Sequence, residues 1–401
     1  MNKHPLLLLC MACLTTTGAL AASDADCLAR LRPAAQKAGL SATTFDRYTQ
    51  GVSPDYSVLE LLDKQPEFST PIWNYLAGLV EDQRIADGKA QLAAHRDALR
   101  QISQRFSVDP AVVVAVWGVE SDYGRITGKR PLRESLLALS CQGRRQGYFR
   151  GELFSLLKLL QTGDIQNPDT TGSWAGAFGQ TQFMPSTYVR LAVDGDGDGR
   201  RDLVNSSVDA LASTANFLHR AGWKAGQHWG YEVKVPAGFN PSLQGRGKRL
   251  PLSQWQADDI RRADGQPFTE SPNTRAALLR PAGVKGPAFL VLPNYNAIYS
   301  YNAAESYALA IALLSDRIKG GPGLYASWPT DDPGLDRRQR KELQQILLDR
   351  GYDIGEPDGI IGSATRKAIQ AEQRRLGWTK VDGRAGQKIL TTLRKSQASG
   401  Q

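Results

Sequence analysis

Trp117-Gly-Val-Glu120-Ser-Asp-Tyr-Gly-Arg125 closes an apolar run that begins at Asp109-Pro110 and continues through Ala111, Val112, Val113, Val114, Ala115 and Val116. An aspartate followed by proline is a helix start, with an N-cap and then a residue whose missing N–H costs nothing at the first helical position. The run is apolar on every face, so the spacing predicts a helix buried almost all round, ended by Gly124. A glutamate at the inner end of such a helix is poorly solvated. Desolvation disfavours its charged form, raises its pKa and suits it to general-acid work near neutrality. The same stretch also fits a helical glutamate that merely reaches solvent, and the choice depends on the rest of the chain.

With 401 residues, 41% of them hydrophobic, the chain is long enough for two or three domains with full cores. Residues 1–21 carry Lys3 and His4, the apolar Leu6 to Leu14 and the small residues Ala19-Leu20-Ala21, the three-part pattern of a cleaved export signal. No later stretch is apolar for long enough to span a membrane. Neither Cys10 nor Cys13 has both a small residue before it and a leucine three before it. The expectation is therefore a soluble exported protein rather than a lipid-anchored one. Cys27 and Cys141 are the cysteines left after the signal, and an oxidising compartment lets them pair. The net charge of +9 would suit nucleic acid, acidic lipid or an anionic polymer, and export argues against the first. The excess is uneven, with 14 Lys and Arg against 8 Asp and Glu from Leu335 onward.

Asp24 to Ser107 reads as helical, with segments at Leu28–Ala38 and Ser57–Leu62 and one long amphipathic segment over Glu81–Phe106. Tyr75 suits either a cleft wall or the core. Two more helices, over Leu132–Leu139 and Gly151–Leu160, flank a loop with Arg144 and Arg145, a basic pair that either faces an anionic substrate or is simply solvated. In Ser173-Trp-Ala-Gly-Ala-Phe-Gly-Gln-Thr-Gln-Phe-Met-Pro-Ser-Thr-Tyr188, small residues alternate with aromatic rings and with Gln180 and Gln182. A backbone that can be approached closely, with amides beside aromatic faces, suits a sugar bearing hydroxyl and acetamido groups. Pro185 and Ser186 then open a helix.

Asp194-Gly-Asp-Gly-Asp-Gly-Arg-Arg-Asp202 places carboxylates at loop positions one, three, five and nine, with glycine at six. That is the EF-hand pattern for a hard cation. Asn205 stands where the bidentate glutamate belongs, and Asp209 on the next helix is the candidate replacement. An unoccupied acidic turn is the competing account. Tyr231 to Leu292 carries short β-prone runs between prolines and glycines, a small antiparallel insertion. Tyrosines then cluster in Asn294 to Tyr307. Residues 319–334, rich in Pro and Gly, read as a linker. Residues 335–395 contain two related turns, Asp358-Gly-Ile-Ile-Gly and Asp382-Gly-Arg-Ala-Gly, each leading into a helix.

On these motifs residues 22–318 resemble the lytic murein transglycosylase B family, and the C-terminal segment resembles a helical peptidoglycan-binding domain. Gly118 to Arg125, Ala175 to Ser186 and Tyr301 to Tyr307 carry the likeness. It implies an α+β, predominantly α fold: a lysozyme-like core with a helical subdomain and the small β insertion at about 231–292, plus a C-terminal three-helix domain. It implies that Glu120 is the sole catalytic acid/base and that Tyr75, Ser173, Gln182, Tyr301, Asn302 and Tyr307 line the saccharide cleft, with Arg144 and Arg145 near the stem peptide. Asp194, Asp196, Asp198, Asp202 and Asp209 are the expected ligands of a structural Ca2+, with no organic cofactor. Phe217 stands where the family can place a tyrosine. The implied reaction cleaves the β-1,4 MurNAc–GlcNAc bond of peptidoglycan in the periplasm and leaves 1,6-anhydro ends. The implied partners are glycan strands and stem peptides, with cell-wall synthesis enzymes as candidate protein partners, and neither nucleic acid nor a membrane anchor. The alternatives are a hydrolytic lysozyme, which needs a second carboxylate, and a non-catalytic wall-binding scaffold.

Overall fold

The computed structural model describes residues 24–63 and 66–398, so the export-signal reading lies outside the described residues. The central helix runs from Pro110 to Ser121 with Asp109 as its N-cap, whose carboxylate accepts the Ala111 N–H at 2.8 Å. Every residue from Ala111 to Gly118 is buried. It packs against the apolar helix Glu305–Ile318, and the helices Asp82–Ala94 and Ser207–Arg220 cover its other sides. Between Glu81 and Phe106 the single expected helix is two, Asp82–Ala94 and Arg96–Phe106, broken at His95. His95 leaves helical geometry, and its ring sits edge-on to Trp117 with Nε2 3.0 Å from Ser207 Oγ. Tertiary contacts of one ring override the periodicity there.

A second core gathers the first helix, Asp24–Lys37, with Leu132–Cys141 and Gln146–Thr162. Cys27 and Cys141 form a disulfide that ties the first of these to the end of the second. A two-stranded ribbon, Arg130–Pro131 (β1) and Thr171–Gly172 (β2), leads into the Ser173–Tyr188 segment.

The insertion is a five-stranded antiparallel sheet of Gly230–Lys234 (β3), Arg249–Pro251 (β4), Arg261–Arg262 (β5), Arg275–Leu279 (β6) and Ala288–Val291 (β7), in the order β4-β6-β7-β3-β5. Alternation of period two explains how β6 and β7 are buried on both faces. Ala277, Leu279, Phe289 and Val291 face the helical body, while Ala276, Leu278, Ala288 and Leu290 face a separate small core built on Trp255.

The C-terminal helices Arg337–Asp349, Ser363–Arg375 and Gln387–Ala398 share a fourth core around Leu343, Leu347, Ile369 and Leu390. Its two related turns are built alike. Buried Gln344 donates to Asp358 Oδ1 at 3.0 Å and accepts the Gly359 N–H, while buried Gln373 does the same for Asp382 and Gly383 at 2.9 Å each. Both glycines have positive φ. The repeated Asp-Gly is thus a turn held by an amide from the preceding helix.

The central helix ends earlier than Gly124. Asp122 adopts left-handed geometry at the C-cap (φ 53°), and its N–H bonds the Gly118 carbonyl at 3.1 Å. Tyr123, also at positive φ, folds its ring back over Gly118, where an added Cβ would lie 2.7 Å from the ring. Gly118→Ala should therefore lower the unfolding free energy by about 1–3 kcal/mol through overpacking. An unchanged midpoint in chemical denaturation would show that the ring does not press on this position.

Candidate active site

Glu120 projects from the last turn of the central helix into a cleft, partly exposed at the residue level. Tyr307, two residues into the neighbouring helix, donates its hydroxyl hydrogen bond to Glu120 Oε1. Burial raises the Glu120 pKa to about 8; the Tyr307 bond pulls it down and the charge of Glu67 pushes it up. Burial likewise lifts Tyr75, Tyr301 and Tyr307 above the ordinary phenol value, with the Glu120 charge adding to each. With its pKa raised to about 8, the Glu120 carboxyl sits among neutral phenols near neutrality and is able to give a proton.

The tyrosine helix, Pro293–Asn302, reverses at Ala303 in left-handed geometry into Glu305–Ile318. That reversal stacks Tyr301 on Tyr307, ring centroids 6.3 Å apart. Tyr301 donates to the Thr181 carbonyl at 2.7 Å, and the Phe217 ring lies 4.6 Å from it, so Phe217 supports the cleft by packing. Ser121 Oγ joins the two walls, donating to the Gln180 carbonyl and accepting the Gly124 N–H at 2.9 Å. Gln182, at positive φ, donates both amide hydrogens, to Thr127 and Gly179 carbonyls at 3.0 and 2.8 Å. What it has left to offer a ligand is its oxygen. Ser173 caps its own turn through the Ala177 N–H at 3.0 Å.

Glu67 escaped sequence reading. Its only signal was an acidic side chain in a short, polar stretch, and it reaches the cleft because Asn302 Nδ2 donates to Glu67 Oε1 at 3.3 Å and Ser306 Oγ to its carbonyl at 2.7 Å. Arg144 and Arg145, expected near the stem peptide rather than at Glu120, lie in the loop before the helix Gln146–Thr162. Arg144 pairs with Asp63 at 2.7 Å, and Arg145 lies over the Tyr148 ring at 4.5 Å. Among the described residues no hydrogen bond, ion pair or ring contact joins either to the Glu120 cluster.

Asp122 turns away from the cleft into a cluster of arginines. It pairs with Arg84 at 3.2 Å, Arg125 at 2.9 Å and Arg337 at 2.6 Å. Burial alone would raise its pKa, but the hydrogen bonds from Arg337 and Arg125 and the charge of Arg84 hold it at about 2. A permanently ionised carboxylate bound by three guanidiniums is not available to activate water.

In the aspartate loop, ligand oxygens of Asp194, Asp196 and Asp209 lie within 4.8 Å of one another. Asp198 and Asp202, expected beside them, fall outside the cluster. The Asp202 carboxylate accepts the N–H groups of Val204 and Asn205 and the Asn205 amide, while Asp198 accepts the Arg200 N–H. Backbone N–H groups of Gly197 and Gly199 orient Asp194, that of Gly195 orients Asp209, and that of Asp198 with the Ser206 hydroxyl orients Asp196. An all-oxygen set of this kind fits a hard divalent cation.

Residues 23–316 match the Transglycosylase SLT domain family, and residues 336–393 match a peptidoglycan binding domain. The chain is 33% identical over 275 residues to membrane-bound lytic murein transglycosylase B of Escherichia coli (strain K12), covering 65% of this chain and 74% of that protein. The structure of SltB3 from Pseudomonas aeruginosa in complex with NAG-anhNAM-pentapeptide is similar at 46% identity and a TM-score of 0.73, over 93% of this chain and 99% of that one. The Escherichia coli lytic transglycosylase SLT35 in complex with calcium matches at 30% identity and a TM-score of 0.64, over 73% of this chain and 92% of that one.

The electrostatics of the cleft make opposite predictions for its two neighbours. Tyr307→Phe removes the bond that stabilises ionised Glu120, so the Glu120 midpoint should rise above about 8. Glu67→Gln removes a repelling charge, so the midpoint should fall. Titration of the Glu120 carboxyl by 13C NMR in both variants checks the signs; shifts in one direction for both would refute the arrangement.

Proposed function

We propose, from the premise that this chain belongs to the Transglycosylase SLT domain family, that Glu120 is the single acid/base of a peptidoglycan lytic transglycosylase. The chain is a non-hydrolytic lyase of the β-1,4 MurNAc–GlcNAc bond that leaves 1,6-anhydro-MurNAc ends in cell-wall remodelling. The observation that carries the residue assignment is the Glu120 carboxyl at the end of the buried helix, bonded by Tyr307, where burial raises its pKa to about 8. Tyr307 engages Oε1, so the other oxygen carries the proton. That proton passes to the glycosidic oxygen as the bond to the anomeric carbon breaks, and GlcNAc leaves as an alcohol. The muramyl acetamido group holds the positive charge between the steps. The C6 hydroxyl of the same muramyl residue then attacks the anomeric carbon and returns its proton to Glu120, so no water enters the product. Tyr75, Ser173, Gln182, Tyr301 and Asn302 are proposed to line the sugar sites, with Tyr301 as a flat wall and Gln182 as an acceptor.

Asp194, Asp196 and Asp209 would hold Ca2+, which supplies charge neutralisation that keeps the loop folded against the helix Ser207–Arg220. The ion has no part in the chemistry. The C-terminal helices are proposed to bind peptidoglycan and hold the enzyme on its polymer. Among the described residues no helix is long and apolar enough to cross a membrane. The periplasm, where the polymer lies, is the proposed location.

Glu120→Gln keeps shape but cannot move a proton. Loss of general acid–base catalysis is worth about 100- to 10,000-fold, and here one group serves both steps, so activity should fall to background. Mass analysis of wall digests by the unaltered enzyme should give products one water lighter than hydrolysis gives; full-mass reducing ends would refute the reading. The same variant should become more stable relative to wild type as pH rises. The unfolded chain releases this proton near pH 4.5, whereas folded Glu120 keeps it to about pH 8. The folded state therefore binds more protons in that window, and wild-type stability falls through it. The variant's melting temperature should match wild type near pH 4 and exceed it near pH 8. Calcium should raise the melting temperature of chelator-treated wild type, and Asp196→Ala should abolish that rise.

A further inference from the structure

The C-terminal helices are docked on the catalytic body by specific contacts. Arg337 Nη2 donates to Asp122 Oδ1 at 2.6 Å, at the C-cap of the helix that carries Glu120. Arg384 donates to Asn74 Oδ1 at 2.6 Å. Gly334 lies so close to Ala77 that an added Cβ would approach its side chain to 2.8 Å. One half-buried ion pair, one charge-assisted hydrogen bond and a close packing contact of this kind fix the two parts in one geometry.

Between them lies a cavity of about 900 Å³. Thr70 and Trp73 of the catalytic body form one wall, and Arg340, Arg366 and Trp378 of the C-terminal helices form the other. Its charges are unevenly matched. Lys388 pairs with Asp331 at 2.5 Å, Lys380 with Asp382 at 3.1 Å, and Arg384 with Asp332. Arg340 and Arg366 make no ion pair among the described residues, and the buried Nε of Arg340 has no hydrogen-bond acceptor. Glu120 and the tyrosines of the cleft take no part in this lining.

Half-buried Arg340 and exposed Arg366, with no ion pair of their own, leave this cavity with more positive than negative charge and room for an anion. A planar guanidinium suits a carboxylate, which it can grip through two parallel hydrogen bonds. The two indoles offer flat apolar surface to the chain between charged groups. The anionic groups of the polymer cleaved here are the carboxylates of its stem peptides. We propose that this cavity is a second substrate site, separate from the sugar cleft, that takes a carboxylate-bearing stem peptide between the catalytic body and the C-terminal helices. The proposal rests on the peptidoglycan reading above and adds that neither part forms the peptide site alone. Because Arg337 joins the C-terminal helices to the turn two residues beyond Glu120, a peptide held there is held at a set distance from the reacting bond.

Isothermal titration of the full chain with a free stem tetrapeptide, and with the same peptide carrying its carboxylates as amides, tests this. The acid form should bind saturably and the amidated form about tenfold or more weakly. Arg366→Ala should weaken the acid form about tenfold. So should Thr70→Glu, which brings a repelling charge from the catalytic body, while the uncharged Thr70→Gln should not. Both positions are exposed or half-exposed, so the variants should keep the wild-type circular dichroism. Absence of saturable binding, equal binding of the amidated peptide, or indifference to both Arg366→Ala and Thr70→Glu would overturn the proposal. It would also be overturned if Arg366→Ala weakened binding of peptide-free glycan oligomers instead, since the cavity would then take sugar. Failure of the Glu120 reading would show separately, as absence of anhydro products when the unaltered chain acts on peptide-free glycan.

Discussion

The cost of placing one carboxyl at the end of a wholly apolar helix is the constraint on which this structure depends. Ala111 to Gly118 bury every face of the helix, so packing fixes its last turn and with it the position of Glu120. Burial then keeps the proton on Glu120 to about pH 8, and the surrounding phenols, themselves pushed above their usual range, add no charge. A buried charge is expensive unless paired, and the site resolves this by keeping Glu120 neutral. The chemistry follows from that choice, because a proton retained at neutrality is one available to a leaving group.

Two residues further on, the same problem has the opposite solution. Asp122 is as buried as the helix itself, and three arginines hold it ionised at about 2. The left-handed C-cap is what separates the two carboxyls, sending one to the cleft and the other to the arginines. Environments that push neighbouring acids apart assign their roles. Here Asp122 is structural, and its bond to Arg337 makes the C-terminal helices part of the catalytic helix's surroundings.

Sequence reading located the pieces whose information is local. Asp109-Pro110 marks a helix start through its own hydrogen bonding, and the β insertion shows through short β-prone runs between prolines and glycines. The repeated Asp-Gly of the C-terminal helices is a turn signal that needs only glycine at positive φ. Of the residues of the likeness to a known family, Tyr307 bonds Glu120 and Tyr301 stacks on Tyr307. Arg144 and Arg145, expected near the stem peptide, pair with Asp63 and lie over the Tyr148 ring, contacts that the loop sequence does not signal.

What the chain by itself determined is thus the buried helix, its acidic end, the sheet insertion and the separate C-terminal core, since each follows from periodicity, capping or composition within a short window. Tertiary structure alone decided the break at His95, made by the Trp117 ring and Ser207 far along the chain. It alone gathered Asp194, Asp196 and Asp209 out of five spaced aspartates, because the loop folds back on the helix that carries Asp209. It alone brought Glu67 to Glu120 and Arg337 to Asp122, across more than 200 residues in the second case. Contacts of that kind depend on where a finished fold places two surfaces, and no periodicity in either segment encodes the other.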